Sequence, residues 1–227
     1  MTNFNIAIDG PAGAGKSTIA KKIAKELGFI YVDTGAMYRA MALFFLRHNI
    51  EAKDTKKIEE ACKDVNVSIE YRDGEQIVVL NGENVNSFLR TEEVANMASA
   101  TSVNKTVRLK LVELQRSLAM KENVVMDGRD IGTYVLPDAA LKIYLTASAT
   151  VRAKRRYLEL QKKGISSDIN EIEKDIIERD HRDMTREFAP LIQAEDAIYI
   201  DSSNLTIDEV VDKILSLYHS RVSACKN

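Results

Sequence analysis

The chain has few of the residues from which disulfide frameworks and protein-bound metal sites are built. Its 227 residues include only two cysteines, Cys62 and Cys225, and three histidines, His48, His181 and His219. Both sets are scattered, so neither shows a disulfide pattern or the spacing of metal ligands. We therefore expect two reduced thiols and no metal site made from imidazole or thiolate groups.

The sequence also lacks an excess of basic residues and any long apolar run. Lysine and arginine number 32 and aspartate and glutamate 34, giving a net charge of −2. Nucleic-acid-binding proteins usually have a basic excess, so we expect no nucleic-acid partner. The N-terminus has no basic segment followed by an apolar stretch, and no apolar run approaches the ~20 residues that cross a bilayer. We expect a cytoplasmic protein with no membrane partner, and a monomer.

Short apolar segments alternate with longer helical patterns, which is typical of a parallel α/β sheet. With 45% hydrophobic residues, the chain can bury one sizeable core. Thr206 and Glu209 form a capping-box pattern at the start of the last helix. The predicted strands are 4–9, 29–33, 124–127, 141–145 and 197–201, and the predicted helices include 17–27, 36–48 and 205–218.

Two stretches depart from this alternation. Segments 67–71 and 76–80 and a third beginning at Val85 are separated by Asp73-Gly74 and Asn81-Gly82, dipeptides that favour tight turns with positive φ. They predict a small antiparallel meander inserted into the α/β pattern. The charged segment 151–163, which ends at Gly164, predicts a helical arm rather than a core helix.

A phosphate-binding loop is the most specific motif in the sequence. GPAGAGKS matches G-x-x-x-x-G-K-[ST] in full, between a predicted strand and a predicted helix. Its glycines let backbone N–H groups point at phosphate oxygens, and the helix N-terminus adds partial positive charge. Lys16 would bind the β- and γ-phosphates of ATP and Ser17 would bind Mg²⁺. The predicted nucleotide-binding residues are Gly10, Pro11, Ala12, Gly13, Ala14, Gly15, Lys16, Ser17 and Thr18.

This loop alone does not define the reaction. The sequence contains no Asp-x-x-Gly and no Asn-Lys-x-Asp, the motifs with which GTPases sense and recognise guanine nucleotides. Three alternatives stay open on the loop: a nucleoside-monophosphate kinase, a kinase of another small acceptor such as shikimate or a nucleoside, and an ATP-binding regulatory module.

Several arginines are placed where an anionic acceptor would need them. Two unit charges ~4 Å apart repel by about 4 kcal/mol at an effective dielectric near 20, and a phosphate oxygen needs no base to act as nucleophile. Arg39 and Arg129 each follow a predicted strand, where ligands of open α/β sheets bind. Arg179, Arg182 and Arg186 are spaced to share one helix face, a pattern that is also typical of solvated ion pairs.

Asp127, the first residue of the DGRD segment, has two competing interpretations. It fits a Walker-B acid that holds Mg²⁺ through water, or a simple helix cap after a strand.

These motifs resemble the bacterial cytidylate kinase family along nearly the whole chain. The matching blocks are IDGPAGAGK from Ile8, DTGAMYR from Asp33, RTEEVAN from Arg90, DGRDIGT from Asp127 and ERD from Glu178. The resemblance implies a P-loop NTPase-like α/β fold with a parallel five-stranded sheet flanked by helices, an inserted antiparallel β-meander subdomain that binds the monophosphate, and a helical lid. It divides the single domain 1–227 into a core (1–34, 109–150 and 188–227), an insert (35–108) and a lid (151–187).

The same resemblance implies the substrates and the site. ATP with Mg²⁺ would be the phosphoryl donor and CMP or dCMP the acceptor. Arg39, Arg129 and Arg186 would bind the CMP phosphate, and Arg155 and Arg156 would close over ATP. Thr34, Ser99, Arg108 and Asp130 would surround the cytosine, with Asp130 at its amino group and Arg108 at its ring acceptors, and Arg179 and Asp183 would contact the sugar. In a competing interpretation, Asp130 only pairs with Arg129. Recognition of cytosine would predict CMP and dCMP far ahead of UMP. The expected catalytic residues are Lys16, Asp127, Arg129 and Arg186.

Overall fold

The computed structural model describes residues 3–72 and 74–224. The predictions for the Cys225 thiol and for the Asp73 half of the first meander turn lie outside these residues. Within them, no helix is long and apolar enough to cross a membrane. The chain divides into two compact units, one drawn from Met1–Tyr31 and Asn123–Asn227 and the other from Val32–Glu122.

In residues 3–72 and 74–224, eight strands and eight α-helices follow the predicted alternation. The strands are β1 (Ile6–Asp9), β2 (Ile30–Asp33), β3 (Val67–Arg72), β4 (Glu75–Leu80), β5 (Glu83–Asn84), β6 (Val124–Gly128), β7 (Leu141–Thr146) and β8 (Ile198–Asp201). The helices are α1 (Lys16–Leu27), α2 (Thr34–Arg47), α3 (Thr55–Asp64), α4 (Glu92–Thr101), α5 (Lys105–Lys121), α6 (Ala149–Lys162), α7 (Ile169–Thr185) and α8 (Ile207–Ala224). A 3₁₀ turn spans Asn86–Phe88 and a π-helical turn spans Ile131–Val135.

The main sheet is parallel and five-stranded, flanked by helices, which confirms the predicted fold class. Its strand order is β2-β6-β1-β7-β8. In register, Ile6 lies opposite Val125 on β6 and Leu141 on β7. All four residues of β1 are buried, as expected of a central parallel strand covered on both faces. Apolar side chains of α1 and α8, including Ile23 and Ile214, pack with the strands in one core.

The first strand begins two residues later than predicted. Phe4 donates its N–H to the Asn123 side chain at 2.8 Å, so side-chain bonding replaces the sheet ladder there. The Phe4 ring instead joins an aromatic cluster, 4.9 Å from Tyr218 and 6.4 Å from Phe29. The apolar residue that suggested an earlier strand start therefore closes the edge of the core.

The last helix also extends further than predicted, to Ala224 rather than 218. The capping box at its start is confirmed. The Glu209 N–H donates to the Thr206 hydroxyl at 3.2 Å, and the Glu209 carboxylate accepts the Thr206 N–H at 2.7 Å.

The second unit contains the predicted meander, a sheet of order β3-β4-β5. Asn81 and Gly82 both have positive φ, 49° and 86°, as a two-residue hairpin turn requires. The predicted position of the third strand is wrong, because the strand spans Glu83–Asn84 and ends before Val85. The Asn86 carboxamide pairs with the Val78 N–H and the Gln76 carbonyl, both at 2.9 Å. A side chain thus takes over the hydrogen bonds that a longer strand would make.

The first residues of the charged helix α6 do not form the arm that the sequence predicts. Arg152 and Ala153, the fourth and fifth residues of the helix, are 5% and 0% exposed, so this end belongs to the packed interior. The helix ends at Lys162, and Gly164 follows with φ of 71°.

We predict that Gly10→Ala destabilises the fold far more than Gly28→Ala. A Cβ at Gly10 would lie 1.9 Å from the Leu145 carbonyl oxygen, at φ of 147°. Gly28 also has positive φ, 67°, but a Cβ there would meet nothing within 4 Å. Left-handed backbone alone costs ~1–2 kcal/mol, so the control should lose about that and Gly10→Ala at least ~2 kcal/mol more. Urea unfolding of the two variants measures the difference, and equal losses would contradict the close backbone approach.

Candidate active site

The phosphate-binding loop lies between β1 and α1, at the carboxyl end of the central strand. Gly13 and Gly15 adopt φ of 76° and 90°, backbone that favours glycine. Residues 13–18 line a cavity of about 500 Å³. Its other wall is formed by Arg155, Ser202 and residues 205–207. The cavity gives a polyphosphate chain access to the loop and to the N-terminus of α1.

Two carbonyls of the loop accept hydrogen bonds from side chains. The Lys16 ammonium donates to the Pro11 carbonyl at 2.7 Å. Arg152 donates from Nη1 to the Ala12 carbonyl at 2.9 Å. These donors fix the peptide planes of a segment that has no regular secondary structure of its own.

Lys16 is the only lysine of the loop and is buried, with 5% exposure. Burial, and next the nearby positive charge of Arg129, lower its pKa to about 7. Asp127 and Asp9 oppose this shift but do not cancel it. A bound polyphosphate would supply the missing negative charge and would favour the ammonium form.

Asp127 lies inside β6, so the interpretation of this residue as a helix cap is wrong. Its buried carboxylate accepts the Ser17 hydroxyl at 2.9 Å and the Tyr31 hydroxyl at 2.8 Å. A serine hydroxyl beside a carboxylate is an oxygen donor set that fits Mg²⁺, which typically takes one or two protein ligands together with substrate phosphates. No cluster of three or more His, Cys, Asp or Glu side chains suited to a metal occurs among residues 3–72 and 74–224.

Two of the predicted phosphate-binding arginines share one carboxylate. Asp183 accepts from Arg129 Nε at 2.8 Å and lies 3.9 Å from Arg186 Nη1. Burial alone would raise the pKa of Asp183, but the charge and hydrogen bond of Arg129 outweigh it, so the pKa is lowered. The ionised Asp183 therefore brings Arg129 and Arg186 together and stabilises both cations.

The predicted helix face of three arginines is wrong. Helix α7 ends at Thr185, and Arg186 follows it with extended backbone, φ of −62° and ψ of 142°. Arg179 and Arg182 are exposed on the helix, whereas the Arg186 side chain is 3% exposed. The change from helical to extended backbone at Arg186 turns its side chain inward. A spacing rule assumes a continuous helix, so it could not predict this orientation.

Asp130 follows Arg129 and is buried, with 4% exposure. It accepts from Arg186 Nη2 at 3.3 Å, while the Nε of Arg129 is directed to Asp183. Arg186 also donates from Nε to the Ala189 carbonyl at 2.7 Å. Asp130 thus helps to orient the Arg186 guanidinium, a role that the sequence did not suggest.

Four of the predicted substrate-binding residues lie in the second unit. Thr34 begins α2 and is buried, and Ser99 lies half-buried on α4. Arg39 pairs with Asp33 at 3.1 Å, and its buried Nε has no hydrogen-bond partner among the described residues. Arg108 on α5 is 1% exposed, donates to the Ser102 carbonyl at 3.1 Å and lies 5.4 Å from the Tyr38 ring centroid.

The two arginines predicted to close over ATP differ in environment. Arg155 lines the cavity and donates from Nη2 to the Ser202 carbonyl at 2.7 Å. Arg156 is exposed and pairs with Glu159 at 3.0 Å on the same helix. The structure therefore brings Arg155, but not Arg156, to the cavity wall in this conformation.

The sequence patterns indicated no role for Asp9, Tyr31 or Asp180, and they placed Arg152 only in the charged arm. Asp9 accepts the N–H groups of Ile131 and Gly132, both at 2.7 Å, and so fixes the turn after the DGRD segment. Burial raises the pKa of Asp9 to about 7 against these two bonds. Its contacts are more than 120 positions away in sequence, so no local pattern could reveal them.

We predict that binding of a nucleoside triphosphate takes up close to one proton at pH 8. With a pKa of about 7, Lys16 is mostly neutral at pH 8 and becomes protonated when phosphates approach. At pH 6 it is already charged and uptake from this group should vanish. Titration calorimetry in buffers of different ionisation enthalpy measures the proton count.

Lys16→Arg is the matched control for this titration, because a guanidinium stays protonated throughout this range. It should take up no proton from this position at pH 8. The assignment to Lys16 is wrong if the wild-type protein takes up no proton at pH 8. It is also wrong if Lys16→Arg binds the nucleotide and takes up as many protons as wild type.

Comparisons with known proteins bear on the fold and the family of this chain. A solved structure of an uncharacterised protein from Eubacterium ventriosum superposes with a TM-score of 0.55 at 15% identity, over 96% of this chain and 99% of that one, a likeness of fold alone. Cytidylate kinase of Caldicellulosiruptor saccharolyticus is 55% identical over 219 residues, 96% of this chain and 97% of the relative. That of Lactobacillus johnsonii is 51% identical over 218 residues, 96% and 95% of the two chains. The family model for cytidylate kinase matches residues 6–220, and the chain belongs to the cytidylate kinase family.

Proposed function

We propose that this chain transfers the γ-phosphoryl group of ATP to CMP or dCMP, giving ADP and CDP or dCDP. The observation that carries the proposal is that a member of this family has a complete phosphate-binding loop and two arginines gathered by Asp183. The loop is suited to the donor phosphates and the arginines to an acceptor that is itself an anion.

Charge stabilisation, rather than acid or base chemistry, is the demand of this reaction. The attacking phosphate oxygen is already a nucleophile, and the transferred group spreads negative charge over its oxygens. In this proposal, Lys16 binds the β- and γ-phosphates of ATP during the transfer. Arg129 and Arg186 bind the acceptor phosphate and reduce its repulsion with the donor phosphates. Arg129 is near enough to Lys16 to lower the pKa of that lysine.

Mg²⁺ would be held by Ser17 and Asp127 together with the ATP phosphates, and would neutralise part of the phosphate charge. Tyr31 fixes one oxygen of the Asp127 carboxylate, which leaves the other near Ser17. In the second unit, we propose that Arg39, whose partly exposed side chain pairs with Asp33, binds the acceptor phosphate.

The remaining assignments are proposals that rest on the family. Thr34, Ser99, Arg108 and Asp130 read the cytosine, and Arg179 and Asp183 contact the sugar. Arg155 and Arg156, in a lid of residues 151–187, act on ATP. We also propose that the enzyme acts as a cytoplasmic monomer and binds no nucleic acid.

A panel of acceptors with MgATP tests the function. We expect turnover with CMP and dCMP and far less with UMP, AMP, GMP and the nucleoside cytidine, which has no phosphate to bind. Lys16→Ala, purified in the same way, should keep under about 5% of the wild-type kcat and so exclude a contaminating kinase. Turnover of cytidine or shikimate above that of CMP would overturn the proposal.

We predict that Asp130→Asn lowers the preference for CMP over UMP by about tenfold, if its carboxylate accepts from the cytosine amino group. The measurement is the ratio of kcat/KM values for the two acceptors. Because Asp130 also accepts from Arg186, the variant should raise the KM of both acceptors to some extent. A uniform loss with an unchanged ratio would limit Asp130 to orienting Arg186.

A further inference from the structure

All three nitrogens of the Arg152 guanidinium make hydrogen bonds next to the phosphate-binding loop. Its Nε donates to the Ala147 carbonyl at 2.8 Å, and its Nη1 donates to the Ala12 carbonyl at 2.9 Å. Nη1 and Nη2 also donate to the two oxygens of Asp180, at 3.1 and 2.5 Å. The Arg152 side chain is 5% exposed and that of Asp180 13%, so this two-bond pair is almost fully removed from water.

The bond to Ala12 determines the direction of the next amide. In a trans peptide the carbonyl oxygen and the following N–H point in opposite directions, and the described chain contains no cis peptide bond. When Arg152 fixes the Ala12 carbonyl, it therefore fixes the Gly13 N–H on the opposite side. Gly13 is exposed and lines the cavity, with φ of 76°.

Gly13 makes this peptide easy to rotate, because a residue without a Cβ has no strong preference between positive and negative φ. Arg152 also packs on it: a Cβ at Gly13 would lie 3.5 Å from the Arg152 Cβ and 3.8 Å from its Cγ and Cδ. The same side chain thus covers the glycine from one side and binds the carbonyl that precedes it.

Asp180 determines the position of Arg152 in turn. A planar guanidinium with two parallel bonds to a carboxylate has a fixed orientation, which a lysine ammonium could not reproduce. Asp180 is on α7 and Arg152 is on α6, so the pair links these two helices to the loop.

We propose that Arg152, oriented by Asp180, is a positioning residue for the phosphoryl donor: it holds the Ala12–Gly13 peptide so that the Gly13 N–H faces the donor phosphates. The inference rests on the proposed use of ATP by this loop. Arg152 acts through the backbone and does not itself contact the acceptor.

Kinetics with each substrate varied in turn tests this role. Arg152→Lys keeps the charge and loses the planar fork, so we expect kcat/KM for ATP to fall by about 10- to 100-fold. The KM for CMP at saturating ATP should stay within about twofold of wild type. Asp180→Asn, which can still accept one bond from Arg152, should change the same parameters by a smaller factor.

Thr150→Ala is the matched control. The Thr150 hydroxyl donates to Glu173 at 2.7 Å and so also joins α6 to α7, but at an exposed position away from the loop. This variant should have wild-type constants for both substrates. A merely structural role for Arg152 would lower the Tm and change the KM values of ATP and CMP alike, and that result would overturn the proposal.

Binding of a non-hydrolysable ATP analogue, measured by calorimetry, separates this inference from the proposed function. If wild type does not phosphorylate CMP but binds the analogue, the proposed function fails and the affinities of the variants still test Arg152. We expect weaker binding for Arg152→Lys and unchanged binding for Thr150→Ala. Equal affinities for wild type, Arg152→Lys and Asp180→Asn would refute the positioning role.

Discussion

The site depends on the pairing of buried cations with carboxylates. A protein that binds polyphosphates must concentrate positive charge, yet each buried cation has a large desolvation cost unless an acid is adjacent. Here Asp183 pairs with Arg129 and with Arg186. Asp180 pairs with Arg152, and Asp130 accepts a further hydrogen bond from Arg186. Lys16 differs from these arginines, because burial and Arg129 lower its pKa in spite of Asp127 and Asp9. This incompletely compensated cation lies where the donor phosphates are expected.

The parallel sheet explains why these groups can converge. Asp9 and Asp127 are in the last two residues of adjacent strands β1 and β6, and the register places Asp9 opposite Gly128. Parallel strands end at one edge of the sheet, so residues more than 100 positions apart lie close together there. The bonds from Asp127 to Ser17 and from Asp9 to Ile131 are direct consequences of that arrangement.

The sequence predicted the features that are encoded locally. The phosphate-binding loop, the turn at Asn81-Gly82, the capping box at Thr206 and the strand-helix alternation all depend on residues within a few positions of one another. The predictions were wrong where a contact from a distant side chain, or the end of a helix, determines the local structure. Arg186 was assigned to a helix that stops one residue earlier, and the third meander strand ends at Asn84, where the Asn86 side chain accepts the Val78 N–H in place of a longer strand. The Arg152–Asp180 pair joins residues 28 positions apart on different helices, and no spacing rule identifies it.

Helix α7 connects the two halves of the proposed chemistry. Asp180 and Asp183 are three residues apart, so they occupy neighbouring positions on one face with a rise of ~4.5 Å between them. Asp180 binds the arginine that holds the phosphate-binding loop, and Asp183 binds the arginine that follows β6. One helix therefore holds, through two carboxylates three residues apart, both the arginine at the phosphate-binding loop and an arginine proposed to bind the acceptor phosphate.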